Sequence, residues 1–166
     1  MPPASSTSPT LHLACGKIAS GKSTLTARLA QMPRTVRISE DSLLAQLYPG
    51  QIASLADYAA CAARLRAAVA PLALQMLQAG VSVVLDFPAN TPASRAWMRD
   101  LFQQADVPHV LHYLDVPDAE CKARLRQRNA SGLHPFSTSD AQFDAITRHF
   151  VPPDASEGFD IVRIAA

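Results

Sequence analysis

The stretch LHLACGKIASGKSTLTARLAQMP, residues 11–33, sets a short apolar run before a glycine-framed loop and a helical pattern after it. Inside it, Gly16 to Ser23 spell G-x-x-x-x-G-K-[ST], the phosphate-binding loop. A glycine-rich turn can curl its N–H groups into an anion nest while the next helix points its positive end at the same spot. Gly16 and Gly21 supply the backbone freedom, and Lys17, Ile18, Ala19 and Ser20 form the body of the loop. Lys22 is expected to reach the β- and γ-phosphates, Ser23 to ligate the Mg²⁺ that travels with the nucleotide, and Thr24 to continue the site into the helix. The flanks agree: Leu11 to Cys15 suit a buried parallel strand, and Leu25, Leu29 and Met32 fall on one helical face before Pro33 stops the helix.

Working outward, strand and helix patterns alternate. Thr35–Ser39 reads as a second strand, ending at Glu40-Asp41 and followed by a helical segment from Ser42 to Tyr48. Ser54 and Asp57 form a capping box for a long helix along which Tyr58, Cys61, Leu65, Val69, Leu72 and Met76 keep helical spacing until Gly80, with Pro71 a possible kink. Val81–Asp86 is a β-branched apolar run ending in a carboxylate, the form of a buried parallel strand. Thr91-Pro92 starts a helix whose buried face is read as Trp97, Leu101 and Ala105. A strand at His109–Leu114, helices from Pro117 to Asn129 and from Asp140 to Phe150, and a strand at Phe159–Ile164 complete the pattern. This alternation predicts an α/β fold with a mostly parallel sheet and helices on both faces.

With 166 residues there is room for one domain, taken as residues 11–166, after a loose Pro/Ser/Thr-rich tail, residues 1–10, that lacks the features of a signal peptide. The 15 basic and 14 acidic residues leave a net charge of +1, which argues against a broad electrostatic footprint for nucleic acid or an anionic membrane. The longest apolar stretch, Ala67 to Leu74, is too short to span a bilayer. Cys15, Cys61 and Cys121 are far apart and suggest neither a disulfide framework nor a zinc site, which fits a reducing cytoplasm. A monomer or weak homodimer is expected.

Three features fall at the ends of the first three strands, the ligand-binding edge of an open α/β sheet: the loop, Asp41 and Asp86. Asp86 has the form of a carboxylate that holds Mg²⁺ directly or through water. Asp41 is placed to orient and deprotonate a phosphoryl acceptor, although it also reads as the N-cap of the 42–48 helix, and Glu40 could take the catalytic part instead. Arg124 and Arg128, four apart, share a helix face and could close over the nucleotide, with Arg126 pointing elsewhere. The polar loop Ala130–Ser139 follows them as a candidate lid and contains His134, a minor candidate for substrate contact; the strand histidines are read as structural. Arg95 is read as solvating its helix, with substrate contact the alternative.

These residues resemble the small bacterial P-loop kinases labelled "AAA family ATPase", relatives of polynucleotide kinase, gluconate kinase and chloramphenicol phosphotransferase. The resemblance spans nearly the whole chain and rests on GKIASGKST (16–24), Asp41, VSVVLDFPANT (81–91), Arg95, YLDVPDAECKARLRQRN (113–129) and FVPPDASEGFDIV (150–162). It implies a three-layer P-loop NTPase fold with a five-stranded parallel sheet of order 2-3-1-4-5 and an arginine-bearing lid. It further implies ATP·Mg²⁺ as donor, an adenine pocket near the lid arginines and the 151–153 backbone, Asp41 as general base, and Arg124 and Arg128 as lid residues. Relatives acting on nucleic-acid 5′-hydroxyls carry D-x-x-R at this aspartate, whereas position 44 here is leucine. The expected activity is therefore transfer of the γ-phosphoryl of ATP to a small-molecule hydroxyl. Polynucleotide kinase and a non-catalytic ATP-binding module are the alternatives.

Overall fold

A computed structural model describes residues 8–132 and 137–165. The elements run β1 (Leu11–Cys15), α1 (Lys22–Leu29), β2 (Thr35–Ser39), α2 (Glu40–Leu47), α3 (Leu55–Gln78), β3 (Ser82–Pro88) and α4 (Pro92–Ala105). They continue with β4 (His109–Asp115), α5 (Asp118–Ser131), α6 (Asp140–Thr147), a short 3₁₀ turn (Ala155–Glu157) and β5 (Ile161–Ala165). All four strand pairings are parallel and the order is β2-β3-β1-β4-β5, the three-layer P-loop arrangement. Crossover helices force this: parallel neighbours cannot be joined by a tight turn, so each helix must pack back onto the sheet.

Alternation along the strands sorts side chains between two cores. Leu11, Leu13, Cys15, Val83, Leu85, Phe87 and Leu111 face α3 and α4 in the larger one, with Cys61, Leu65, Val69 and Met98. On the other face, Leu114 packs with Leu25 of α1, Cys121 and Leu125 of α5, and Phe143 of α6. On that same side His12 and His112 stack, with ring centroids 5.5 Å apart, and burial lowers both below the ordinary histidine range.

Several local expectations shift. Helix α1 stops at Leu29, because Gln31 and Met32 donate to carbonyls three residues back and tighten the chain ahead of Pro33; Met32 is exposed, and Thr26 is buried in its place. In α3 the buried face follows strict i, i+4 steps, Cys61, Leu65, Val69, Ala73 and Leu77, so Leu72 is exposed and the helix runs through Pro71 as one element. By length and composition α3 is long and apolar enough to cross a membrane, which the Ala67–Leu74 run alone did not suggest; here it packs along α4, β3 and α2. The inner face of α4 is Arg95, Met98, Leu101 and Phe102; Leu101 is buried as expected, while Trp97 and Ala105 are only partly buried at the edges of that face. The capping boxes of Ser54 with Asp57 and of Thr91 with Ser94 are both formed.

Candidate active site

The chain leaves β1 at Cys15 and is folded back by two left-handed residues, Ala19 (φ 60°) and Gly21 (φ 102°). Gly16 has no space for a side chain: a Cβ there would meet Ser20 Oγ at 2.5 Å and the Leu114 carbonyl oxygen at 3.1 Å. Its N–H donates to Asn90 Oδ1 at 3.0 Å, which ties the loop to the end of β3. Helix α1 opens with Gly21 as N-cap and no capping side chain, so the N–H groups of its first turn stay available to an anion. The Lys22 ammonium donates to the carbonyls of Gly16 (2.5 Å) and Lys17 (2.8 Å), and burial pulls it below its ordinary range. Buried Ser20 Oγ has no partner among the described residues. Lys17 turns its side chain away, to Asp118 and to the Val116 carbonyl at 3.3 Å, so its contribution to the cradle is backbone only.

A cleft of about 1120 Å³ opens over this loop. Every expected site residue from Lys17 to Thr24 lines it, together with Asp41, Asp86, Arg124 and Arg128; Gly16 lies beneath, held by Asn90.

The two adjacent carboxylates at the end of β2 are separated by the helix that begins there. Ser39 Oγ, and not Asp41, is the N-cap of α2, accepting from Ser42 N, and Glu40 and Asp41 occupy the first turn. A single residue step along the helix, about 100°, points them apart. Glu40 is fully buried, accepts from the Tyr58 hydroxyl and lies 3.4 Å from Arg66 Nη2; burial raises its carboxyl above the usual range. Asp41 is exposed on the cleft wall.

Asp86 pairs with Arg37 through its Oδ2, a contact that follows from register. Ser39 lies opposite Asp86 and Arg37 opposite Val84, so Arg37 and Asp86 are diagonal neighbours on one sheet face. Among the described residues, Asp86 Oδ1 and the exposed Ser23 hydroxyl keep no partner, and both belong to cleft-lining residues. Two hard oxygen donors of this kind suit Mg²⁺.

On the opposite wall, Arg124 donates from Nη1 to the Ser20 carbonyl at 3.2 Å and pairs with Glu120. Arg128 lines the same cleft, and burial lowers its guanidinium while the charge of Asp41 opposes the shift. Arg126 points away and pairs with Asp140. His134 lies outside the described residues.

Arg95 matches neither of its sequence readings. It is fully buried and donates to Glu157 through Nε (2.7 Å) and Nη2 (2.9 Å), and through Nη1 to the carbonyls of Ala89 (3.0 Å) and Val151 (2.9 Å). The guanidinium thus fastens the 151–157 segment to α4, next to cleft-lining His149 and Phe150. Asn90 is likewise a site residue that the sequence reading passed over: its carbonyl accepts from Val151 N at 2.9 Å while its side chain holds Gly16.

Residues 11–153 match the family model described as AAA domain. No curated protein sequence matches the chain. Among solved structures, a candidate kinase of Chloroflexus aurantiacus superposes with a TM-score of 0.74 at 21% identity, over 95% of this chain and 85% of that one. The adenosine phosphosulfate (APS) kinase CysC of Mycobacterium tuberculosis, solved with AMPPNP and APS, gives 0.61 at 20% identity, over 95% and 88%. A sugar kinase of Janibacter sp. HTCC2649 gives 0.63 at 16% identity, over 96% and 86%. At these identities the likeness establishes a shared fold.

Proposed function

The chain belongs to the AAA domain family, and from that premise we propose that it is an ATP-dependent phosphotransferase that moves the γ-phosphoryl group to a hydroxyl of a small molecule. The observation that carries this reading is the division of labour at the end of β2: Asp41 opens onto the cleft over the phosphate loop, while Glu40 is locked beneath it by Tyr58. A regulatory nucleotide switch has no use for a free carboxylate there. A phosphoryl acceptor does, because its hydroxyl must be oriented and relieved of a proton as it attacks.

In the proposed reaction the loop amides and Lys22 bind the phosphates of ATP, Lys22 exchanging its two carbonyl partners for phosphate oxygens. The acceptor oxygen forms a bond to the γ-phosphorus, the bond from that phosphorus to the β–γ bridging oxygen breaks, the hydroxyl proton passes to Asp41, and ADP leaves. Arg124 and Arg128 offset charge on the moving phosphoryl group and close the site to water. Mg²⁺, held by Ser23 and Asp86, would supply charge neutralisation at the phosphates. Leu44, buried where D-x-x-R would place an arginine, favours a small acceptor over a polynucleotide.

An ATP-consumption screen against sugars, antibiotics and nucleosides, with mass detection of products, tests the reading. The expected result is stimulation by at least one hydroxyl compound with a matching phosphorylated product. Slow ATP loss that no compound stimulates would overturn it.

A further inference from the structure

Beside Asp41 a second cavity, of about 620 Å³, opens off the cleft. Asp41, Leu55 and Tyr58 line both spaces, so the two are continuous at the proposed reacting position. The walls of the second come from α2, from the loop between α2 and α3, from the first turn of α3, and from Gln142 of α6. Asp41 is the one charged residue among those that line it. Leu44, Tyr48 and Ile52 give it an apolar floor, and the Tyr58 hydroxyl is already committed to Glu40. Arg66, the cation of α3 that lines the main cleft, is absent from this groove; its guanidinium lies 3.4 Å from Glu40 and 5.8 Å from the centre of the Trp97 ring.

The mouth is apolar as well. Leu55, at the first position of α3, is 80% exposed, and Ile146 of α6, on the rim of the main cleft, is 45% exposed. Side chains of this kind gain from being covered by an apolar body.

Resting on the phosphotransferase reading, we propose that this groove is the acceptor subsite and that the acceptor is an uncharged alcohol carrying an apolar, ring-sized body. The body lies against Leu44, Tyr48, Ile52 and Leu55 and presents its hydroxyl to Asp41. The groove falls within the roughly 300–1,000 Å³ of ordinary small-molecule sites. An anionic acceptor meets no cation in it and one carboxylate at its entrance, so negative charge on the body is rejected.

The test uses the full chain with ATP and Mg²⁺, and measures product by mass for phenylethanol and cyclohexylmethanol, for their charged counterpart hydroxymethylbenzoate, and for glucitol and gluconate. The ring alcohols are expected to be phosphorylated with kcat/KM at least about tenfold above the other three. Phosphorylation of glucitol or gluconate with the ring alcohols inert would leave the kinase reading standing and overturn the subsite. Failure of every compound, with ATP binding retained, would overturn the subsite, while the phosphotransferase reading would be decided by the broader screen. Ala45 is exposed and lines only the groove, so Ala45→Asp is compatible with folding and is expected to raise the KM for phenylethanol by about tenfold or more. An unchanged KM in that variant would also overturn the proposal.

Discussion

One peptide bond separates Glu40 from Asp41, and the environment gives them opposite chemistry. Burial raises the Glu40 carboxyl, so the native state keeps that proton to a higher pH than the unfolded chain does. Its contribution to stability is therefore fully present below the ordinary glutamate pKa of about 4.3 and is lost as pH rises through the raised value. Glu40→Gln can still accept from Tyr58 and has no charge to bury. Thermal unfolding followed from about pH 4 to 7 should show wild-type stability falling by about 1 kcal/mol relative to the variant, and the variant should keep its phosphoryl transfer. Lys22→Ala acts at the other wall, because it leaves two loop carbonyls unpartnered and removes the charge that meets the phosphates. A loss of about 2 kcal/mol in ATP affinity, roughly thirtyfold in Kd, is expected by titration with a fluorescent ATP analogue.

At the scale of elements, α4 does more than cover the sheet. Its Arg95 reaches a segment 62 residues away in sequence and pins it by charge-assisted hydrogen bonds inside the fold. Arg95→Met should destabilise by about 3–5 kcal/mol, since the carbonyls of Ala89 and Val151 lose their donor and the Glu157 carboxylate keeps only the Asp154 N–H after losing its cation. Chemical denaturation measures this. The Arg95 guanidinium holds Glu157 below its ordinary range, so the pair's contribution is present above the unfolded glutamate pKa and fades as pH falls through the lowered one. Sequence periodicity could not reveal this arginine's role. Its spacing suited a solvated helix start, and its partners are mostly backbone carbonyls from another part of the chain. The strands were far more legible: the β-branched run ending at Asp86 and the loop after Cys15 announce themselves through local composition. Cys61, Leu65, Val69 and Leu101 were legible as buried positions, whereas the second half of α3 and the flanks of α4 turn inward one position away, at Ala73, Leu77 and Met98 instead of Leu72, Met76 and Trp97, because which of two neighbouring apolar residues turns inward is decided by the partner surface. The Arg37 pairing of Asp86 was hidden for a similar reason, since it depends on the register between β2 and β3.

Across the whole molecule, two unequal cores meet at the sheet, and the cleft follows the carboxyl ends of its strands. The larger core binds β1, β3 and β4 to α3 and α4, whereas α6 is held to the smaller one chiefly by Phe143 and offers Ile146 and Thr147 to the cleft. Hydrogen exchange should accordingly be slowest in β1 and β3 and fastest in α6, and ATP should slow α6 more than the central strands. The direct measurement follows γ-labelled ATP with wild type and with Asp41→Asn in the presence of hydroxyl acceptors. Both proteins are expected to bind ATP, with the label appearing on an organic product with wild type and almost none with the variant, as a phosphoryl transfer that needs the Asp41 carboxylate requires. Label released only as inorganic phosphate, at the same rate in both proteins and with or without acceptor, would contradict it.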